Sequence, residues 1–248
     1  MSCASPSHRP MEKTKELLTD SPVKDVVRLR LNRPDRLNAV NLPLVSALLA
    51  AFDGLEAGAV VLCSTNLRAF CAGADLDLED GERANVSDLL YELYEKMVTL
   101  SVPIVVALDG HAVGAGFQLA IAGDLRVAGR ETMMRVSGPG HGLAVASWGL
   151  PSLVGRGRAM DLCLTMRPVG AEEALAVGLV DRVEENPEEV AVRLASELAG
   201  LDRGAARRVK RIVNGASGLL DALREERSGN RAAWTGSVSG LSRGEGAT

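Results

Sequence analysis

The chain has 248 residues, of which 46% are hydrophobic and 3% aromatic, and its formal net charge is −4. This length and apolar content are sufficient for one large core or two modest ones. The mixed charges and scarce aromatic side chains argue against a nucleic-acid-binding surface. No apolar run reaches the roughly 18 residues expected of a membrane span.

The two ends of the chain differ in composition from its middle. Residues 1–22 are polar and contain three prolines, which predicts a flexible tail, and residues 238–248 are rich in Gly, Ser and Arg, which predicts a frayed end. The four cysteines have no CxxC spacing, and no signal peptide is evident. Free thiols in a reducing, cytoplasmic environment are therefore expected.

Strands and helices alternate between these ends. Apolar patterns predict strands at 26–31, 59–63, 102–108 and 125–128. Helical patterns follow Asn41, a predicted N-cap, and recur at 89–100, 119–122, 188–199, 203–213 and 219–234. The sequence therefore predicts an α/β core over 23–186 and a helical C-terminal region over 187–248.

Two glycine-bearing segments are candidates for anion binding. Residues 69–76 (AFCAGADL) follow a predicted strand, and in residues 109–118 (DGHAVGAGFQ) a strand leads into a turn that opens a helix. Backbone N–H groups at a helix N-terminus bind anions and developing oxyanions. A dinucleotide fingerprint is excluded, because Leu119 stands where its third glycine belongs and no acidic residue follows at the ribose-binding distance.

Four ordered segments resemble the enoyl-CoA hydratase/isomerase (crotonase) family: 31–39 (LNRPDRLNA), 69–76, 109–125 (DGHAVGAGFQLAIAGDL) and 171–183 (AEEALAVGLVDRV). The resemblance extends over residues 26–234. It implies a crotonase-like (ClpP/crotonase) spiral of ββα repeats, with a helical C-terminal trimerisation region. It also implies a homotrimer or hexamer that binds an acyl-CoA thioester and needs no metal and no other cofactor.

The resemblance further implies which residues form the site. Backbone N–H groups of Ala74 and Ala115 would form an oxyanion hole for the thioester carbonyl, and the helix dipole at Ala115 favours negative charge there. Residues expected near CoA are Arg36, Leu37, Ala72, Asp75 and Leu76. Of these, Arg36 is the best cation for the phosphates, and Asp75 is expected to hold its own loop by accepting backbone N–H bonds.

Two positions depart from the hydratase pattern. Gln118 stands where hydratases have their first glutamate, and Gly138 stands where they have the second. Neither residue titrates near pH 7, so neither can transfer a proton. No Asp or Glu occurs between Glu131 and Asp161 that a shifted alignment could use instead. Hydration of an enoyl-CoA by paired carboxylates is therefore not expected.

Two other polar residues of this region are candidates for chemistry. His141 lies in a glycine-rich turn that would point its ring into the pocket, although a structural or solvated role is also consistent with the sequence. Cys71 lies in the first glycine-bearing segment, but no His or Lys partner is evident that would activate its thiol. We expect Cys71 to be a small residue beside the pocket.

Three functional hypotheses follow from the resemblance. The first is an acyl-CoA enzyme that uses the oxyanion hole for chemistry other than hydration. The second is a non-catalytic acyl-CoA-binding or shuttling protein, similar to actinobacterial crotonase paralogues that carry a Gln-bearing motif and a downstream Trp. The third is a C–C bond-forming or cleaving enzyme, because 137–139 (SGP) is similar to dihydroxynaphthoyl-CoA synthases. Leu143 and Val145 do not match the acid–base residues of those synthases.

Overall fold

The computed structural model describes residues 15–234, which fold into two β-sheets surrounded by helices. The strands are β1 (Leu17–Asp20), β2 (Val26–Leu31), β3 (Ala59–Ser64), β4 (Ala69–Cys71), β5 (Ile104–Leu108), β6 (His111–Val113), β7 (Leu125–Gly129), β8 (Met133–Arg135), β9 (Val169–Gly170) and β10 (Arg182–Glu184). The α-helices are α1 (Leu42–Asp53), α2 (Asp80–Thr99), α3 (Ala115–Ala122), α4 (Leu150–Val154), α5 (Arg156–Thr165), α6 (Ala171–Ala176), α7 (Pro187–Ala199), α8 (Arg203–Ala216) and α9 (Leu219–Ala233).

The chain builds both sheets at once through a repeated ββα unit. The larger sheet has the order β1-β2-β3-β5-β7-β10 and the smaller one β4-β6-β8-β9. The successive pairs β3–β4, β5–β6 and β7–β8 each add one strand to each sheet, and a helix follows each pair. All neighbouring strands are parallel except β1 with β2 and β8 with β9. The predicted α/β architecture is confirmed.

The central strands of the larger sheet are apolar because helices or the smaller sheet cover both faces. In β3, Val60 and Leu62 belong to the main core, whereas Ala59, Val61 and Cys63 pack with α7 on the opposite face. Side chains alternate between the two faces of a strand, so a strand buried on both faces needs a continuous apolar run. The predicted run at 59–63 meets that need.

The prediction of a flexible tail over residues 1–22 is wrong for its last part. Residues 17–20 form β1, which pairs antiparallel with β2 in the register Leu17 to Leu31. Leu17 is buried, and Asp20 accepts hydrogen bonds from Arg28 on β2. The ladder and this ion pair together fix a short edge strand that its own polar composition does not reveal. Residues 1–14 and 235–248 lie outside the described part, so the predicted frayed end at 238–248 falls entirely outside it.

The boundary predicted at residue 187 is also displaced. Helix α7 packs on the larger sheet through Val190, Ala191, Leu194 and Ala195, so it belongs to the core. The separate helical region begins with α8. Its buried Lys210 attaches it to the core by donating to the carbonyl oxygens of Met97 and Val102 and to the Asp124 carboxylate.

Helix α8 presents apolar side chains to solvent. Val209, Ile212 and Val213 are 61%, 62% and 62% exposed, and their spacing places them on one helix face. Helix α9 instead packs on α2 and buries Leu219, Leu223, Glu226 and Asn230. Across residues 15–234, no helix combines the length and apolar character that a membrane crossing needs.

Candidate functional site

The two glycine-bearing segments predicted to bind an anion meet in the structure. Strand β4 pairs with β6, and the loop after β4 lies against the turn that opens α3. Three glycines allow the close approach: a Cβ on Gly116 would lie 2.1 Å from the carbonyl oxygen of Cys71, one on Gly114 would lie 2.7 Å from Ser137 Oγ, and one on Gly73 would lie 3.3 Å from Val113 O. At Gly116 and Gly73 backbone therefore packs on backbone, and at Gly114 it packs on the Ser137 hydroxyl.

Two backbone N–H groups at this junction are free to bind a ligand. Within residues 15–234, neither the N–H of Ala74 nor that of Ala115 has a hydrogen-bond partner. Ala74 lies between Gly73, whose carbonyl accepts from Val40, and Asp75, whose N–H donates to the Val40 carbonyl. Ala115 is the first residue of α3, where helix geometry leaves the N–H without an internal acceptor. An oxygen that carries negative charge would satisfy such groups.

The loop that carries Ala74 is held by Asp75. This carboxylate is 6% exposed and accepts hydrogen bonds from the Arg33 guanidinium at 3.0 Å and the Asp77 N–H at 3.2 Å. Burial alone would raise the pKa of Asp75, but the Asp77 N–H and the guanidinium groups of Arg33 and Arg36 outweigh burial and lower it. Asp75 is thus an ionised carboxylate that stabilises its own loop, as the sequence predicted, and is poorly suited to donate a proton.

The remaining residues expected near CoA surround the same loop. The Leu37 carbonyl accepts from the Ala72 N–H at 3.0 Å, which joins the turn after Pro34 to the loop after β4. Arg36 donates to Asp77 and, at 3.3 Å, to Asp75, while its side chain remains 47% exposed. Leu76 is 68% exposed. The five residues therefore lie together around the loop that follows β4.

Gln118 lies on α3 one turn beyond Ala115, in a buried polar cluster. Its carbonyl oxygen accepts from the Trp148 indole N–H at 2.8 Å and from the Ala146 N–H at 3.2 Å. Gln118 is 5% exposed and Trp148 is 3% exposed. Both acceptor positions of the amide oxygen are occupied by protein donors, which fixes the orientation of this side chain.

Sequence reasoning missed the carboxylate of this cluster, Glu226 on α9. Its Oε1 accepts from the Tyr91 hydroxyl at 2.7 Å and from the Ala146 N–H at 3.2 Å, and its Oε2 accepts from Ser147 Oγ and, at 3.1 Å, from the Trp148 N–H. Glu226 is far from position 138 in the sequence and reaches the cluster only through the packing of α9. The available signal was Glu226 itself, a charged residue on the face of α9 that also carries Leu219 and Leu223.

Burial affects the acidity of both titratable groups in the cluster. It raises the pKa of Glu226, although hydrogen bonds from Ser147, Tyr91 and the Trp148 N–H oppose part of the rise. Burial and then the charge of Glu226 raise the pKa of Tyr91 well above its ordinary value, while hydrogen bonds from Asn230 and Gln118 act in the opposite direction. Tyr91 is therefore a neutral hydrogen-bond donor to Glu226.

Gly138 occupies a position with no room for a side chain. A Cβ there would lie 2.1 Å from Val145 Cγ2, 2.5 Å from Val145 Cβ and 2.8 Å from the Leu143 carbonyl oxygen. Real Cβ atoms essentially never come within 3.0 Å of such neighbours. Val145, which is 9% exposed, therefore fills the space that a side chain at 138 would need.

The two other candidates for chemistry lie apart from the polar cluster. His141 ends the short 3-10 turn Pro139–His141 and is exposed. Its backbone N–H donates to the Gly138 carbonyl at 2.8 Å, but its imidazole has no hydrogen-bond or ion-pair partner within residues 15–234. Its entry into the pocket stays a prediction. Cys71 is fully buried, and burial raises the pKa of its thiol to about 12. The protonated thiol is a poor nucleophile, which agrees with its expected packing role.

Comparison with known proteins gives a consistent result. A sequence profile described as enoyl-CoA hydratase/isomerase matches residues 23–248. A Mycobacterium tuberculosis protein named probable enoyl-CoA hydratase echA6 is 38% identical over 204 residues, which are 79% of this chain and 82% of that protein. Its Mycobacterium leprae counterpart is 34% identical over 219 residues, or 85% and 87% of the two chains.

Solved structures share the architecture. An enoyl-CoA hydratase/isomerase from Mycobacterium paratuberculosis superposes with a TM-score of 0.81 at 25% identity, over 92% of this chain and 96% of that one. Enoyl-CoA hydratase from Bacillus anthracis gives a TM-score of 0.77 at 27% identity, over 86% and 90% of the two chains. The spiral of two sheets described above is the fold of these proteins.

The wall beside Gly138 leads to a stability prediction. We expect Gly138→Ala to lower the free energy of unfolding by about 1–3 kcal/mol, because Val145 and the Leu143 carbonyl must move. Gly140→Ala in the same turn is the matched control, since its Cβ would make only 3.4 Å contacts with Met166. Urea unfolding of both variants checks this, and an equal loss of stability in the two would contradict it.

Proposed function

Since the chain belongs to the enoyl-CoA hydratase/isomerase family and has the crotonase fold, we propose that it binds acyl-CoA thioesters and does not act as an ordinary hydratase. The observation that carries the proposal is a contrast within one site. The backbone donors that a thioester carbonyl needs have no protein partner. The two positions that would move protons are occupied instead by Gln118, whose amide oxygen accepts from protein donors, and by Gly138, which has no space for a side chain.

The binding half of the proposal rests on the N–H groups of Ala74 and Ala115. A thioester carbonyl becomes more negative when the adjacent carbon loses a proton or is attacked, and two convergent donors stabilise that charge. The donor at Ala115 adds the favourable end of the α3 dipole. Each such donor is typically worth about 3 kcal/mol when charge develops on the oxygen. The arrangement is suited to holding a thioester carbonyl whether or not a reaction follows.

The CoA portion would lie over the loop that carries Asp75. Arg36 supplies a partly exposed guanidinium, and Leu37, Ala72 and Leu76 supply backbone and apolar contacts beside it. Arg36 is engaged by Asp75 and Asp77. Phosphate oxygens would therefore compete with Asp77 for the same guanidinium, which favours a modest contribution from this residue.

The proton-transfer half is missing. In the family pattern, carboxylates at 118 and 138 would hold and activate water. Here the Gln118 oxygen already accepts two protein N–H groups, and Gly138 has no side chain and no space for one. These features favour the non-catalytic binding or shuttling role over the two catalytic alternatives.

The first test is a direct assay of hydration. We expect the purified protein to hydrate crotonyl-CoA at least about a thousandfold more slowly than a two-glutamate hydratase, because each general acid–base group contributes roughly 10² to 10⁴. Hydration removes the double bond conjugated with the thioester, so the decrease in the ultraviolet absorbance of that group is followed for both proteins side by side. A rate within about tenfold of the two-glutamate enzyme would refute the assignment of Gln118 and Gly138.

The second test is binding without turnover. We expect saturable binding of medium or long acyl-CoA in calorimetry, and loss of that binding in Gly73→Pro, because proline cannot adopt the φ of +117° found at Gly73. Circular dichroism must show that the variant is folded, and Gly157→Ala, on an open face of α5, is the control. No binding to the wild type at about millimolar ligand, or about −4 kcal/mol, would overturn the proposal.

We also propose a trimer or hexamer. The support is the exposed apolar face of α8, where Val209, Ile212 and Val213 lie on one side of a helix whose other side is fixed to the core by Lys210. A second copy of the chain would cover that face. Sedimentation at micromolar concentration should show the assembly, and Ile212→Glu should dissociate it. A wild-type monomer under those conditions would contradict the proposal.

A further inference from the structure

We propose that Glu226 is a positioning residue for the acyl-CoA site, through which helix α9 sets the loop 144–148 and the Gln118 side chain. This inference rests on the proposed function, because the site concerned is the one assigned there to acyl-CoA. Glu226 itself does not contact the proposed ligand. Its role is to hold in place the residues that line the proposed acyl-CoA site.

The Glu226 carboxylate accepts hydrogen bonds at all of its acceptor positions, most of them from the loop 144–148. An ionised carboxylate offers about four lone-pair positions, and Glu226 accepts from four donors: Tyr91, Ser147 and the backbone N–H groups of Ala146 and Trp148. Three of the four belong to one short irregular segment of the chain. Hydrogen bonds to a charged group are stronger than those between neutral groups, so Glu226 is the main support of that segment.

The loop needs such support because its conformation is unfavourable by itself. Ala146 has a φ of +65°, a left-handed conformation in which its Cβ crowds the following carbonyl oxygen. One helical turn beyond Glu226, Asn230 donates to the Ala144 carbonyl and accepts from the Ala144 N–H. Glu226 and Asn230 thus present a polar edge of α9 that satisfies the loop backbone at two points.

The loop passes this constraint to Gln118. The Ala146 N–H is shared between Glu226 Oε1 and Gln118 Oε1, at 3.2 Å from each. Trp148, whose backbone N–H is held by Glu226, donates its indole N–H to the same Gln118 oxygen at 2.8 Å. Removing the carboxylate would therefore release both donors that fix the amide.

The same contacts reach the proposed oxyanion donors. The Trp148 ring stacks on Tyr94, with centroids 6.1 Å apart and planes at 22°. The Tyr94 hydroxyl donates to the Ala115 carbonyl at 3.3 Å. A continuous set of packed and hydrogen-bonded groups therefore connects Glu226, more than 100 residues later in the sequence, with the first turn of α3.

The chain offers a close control for Glu226. Glu225 is the adjacent residue on α9 and is exposed, and its carboxylate makes no hydrogen bond or ion pair within residues 15–234. Glu225→Ala removes the same charge and the same number of atoms from the same helix turn. A difference between the two substitutions therefore reports the contacts of Glu226 and not a change of net charge or of helix propensity.

The experiment measures the loop and the site separately. Trp148 is observed alone in a Trp234→Phe background, and Trp234→Phe removes no hydrogen bond because the Trp234 indole nitrogen has no partner in the described part of the chain. In that background we expect Glu226→Ala to shift Trp148 emission to longer wavelength and to weaken acyl-CoA binding about tenfold or more. Glu225→Ala should leave both within about twofold of the parent.

Glu226→Gln keeps the shape of the side chain, and it tests the positioning role of Glu226 if the alanine variant does not fold. Its amide nitrogen cannot accept the Trp148 N–H, so binding should weaken by an intermediate factor, with a smaller emission shift. Folded variants with unchanged emission and unchanged affinity would overturn the inference, and so would a shifted emission with unchanged affinity. Absence of binding by the parent protein is a failure of the proposed function, and it is recognised separately because the emission measurement needs no ligand.

Discussion

The contact between the backbone at Cys71 and the first turn of α3 is the constraint on which the site depends. Gly116 permits it, since any Cβ there would lie 2.1 Å from the Cys71 carbonyl. Gly73 and Gly114 extend the approach on either side, and both have positive φ values that glycine adopts at little cost. The result is a pair of backbone donors from two different ββα units on one small surface. Side-chain chemistry around that surface can change without disturbing it.

Backbone donors and side-chain groups at this site therefore respond differently to substitution. Backbone N–H groups do not depend on side-chain identity, so Ala74 and Ala115 keep their geometry as long as the glycines remain. Positions 118 and 138 are different, because their side chains carried the chemistry in the family pattern. Here the Gln118 amide oxygen accepts from Trp148 and Ala146, and the Val145 side chain fills the space beside Gly138.

The sequence predicted most of the elements but little of what connects them. Buried parallel strands have continuous apolar runs, so β2, β3, β5 and β7 were placed within about two residues of their observed bounds. The ββα repeat left no repeated sequence, because each unit packs against different neighbours. Strand β1 was missed since an edge strand needs only one apolar face, here Leu17, and obtains its hydrogen bonds from β2. Glu226 was missed because contact between α9 and the loop 144–148 depends on tertiary packing, which residue spacing does not encode.

Val145 limits which residues position 138 can accept. A glutamate introduced at position 138 would meet the Val145 side chain and the Leu143 carbonyl. Two further changes, one in a side chain and one in the path of the backbone, would have to accompany it. A smaller side chain at 145 alone would leave a cavity, and a changed backbone path at 143 alone would strain the loop. Neither change alone would add an acid–base group. A single substitution at position 138 therefore cannot place a carboxylate in this site, and acid–base groups would more readily be introduced on another element that borders it.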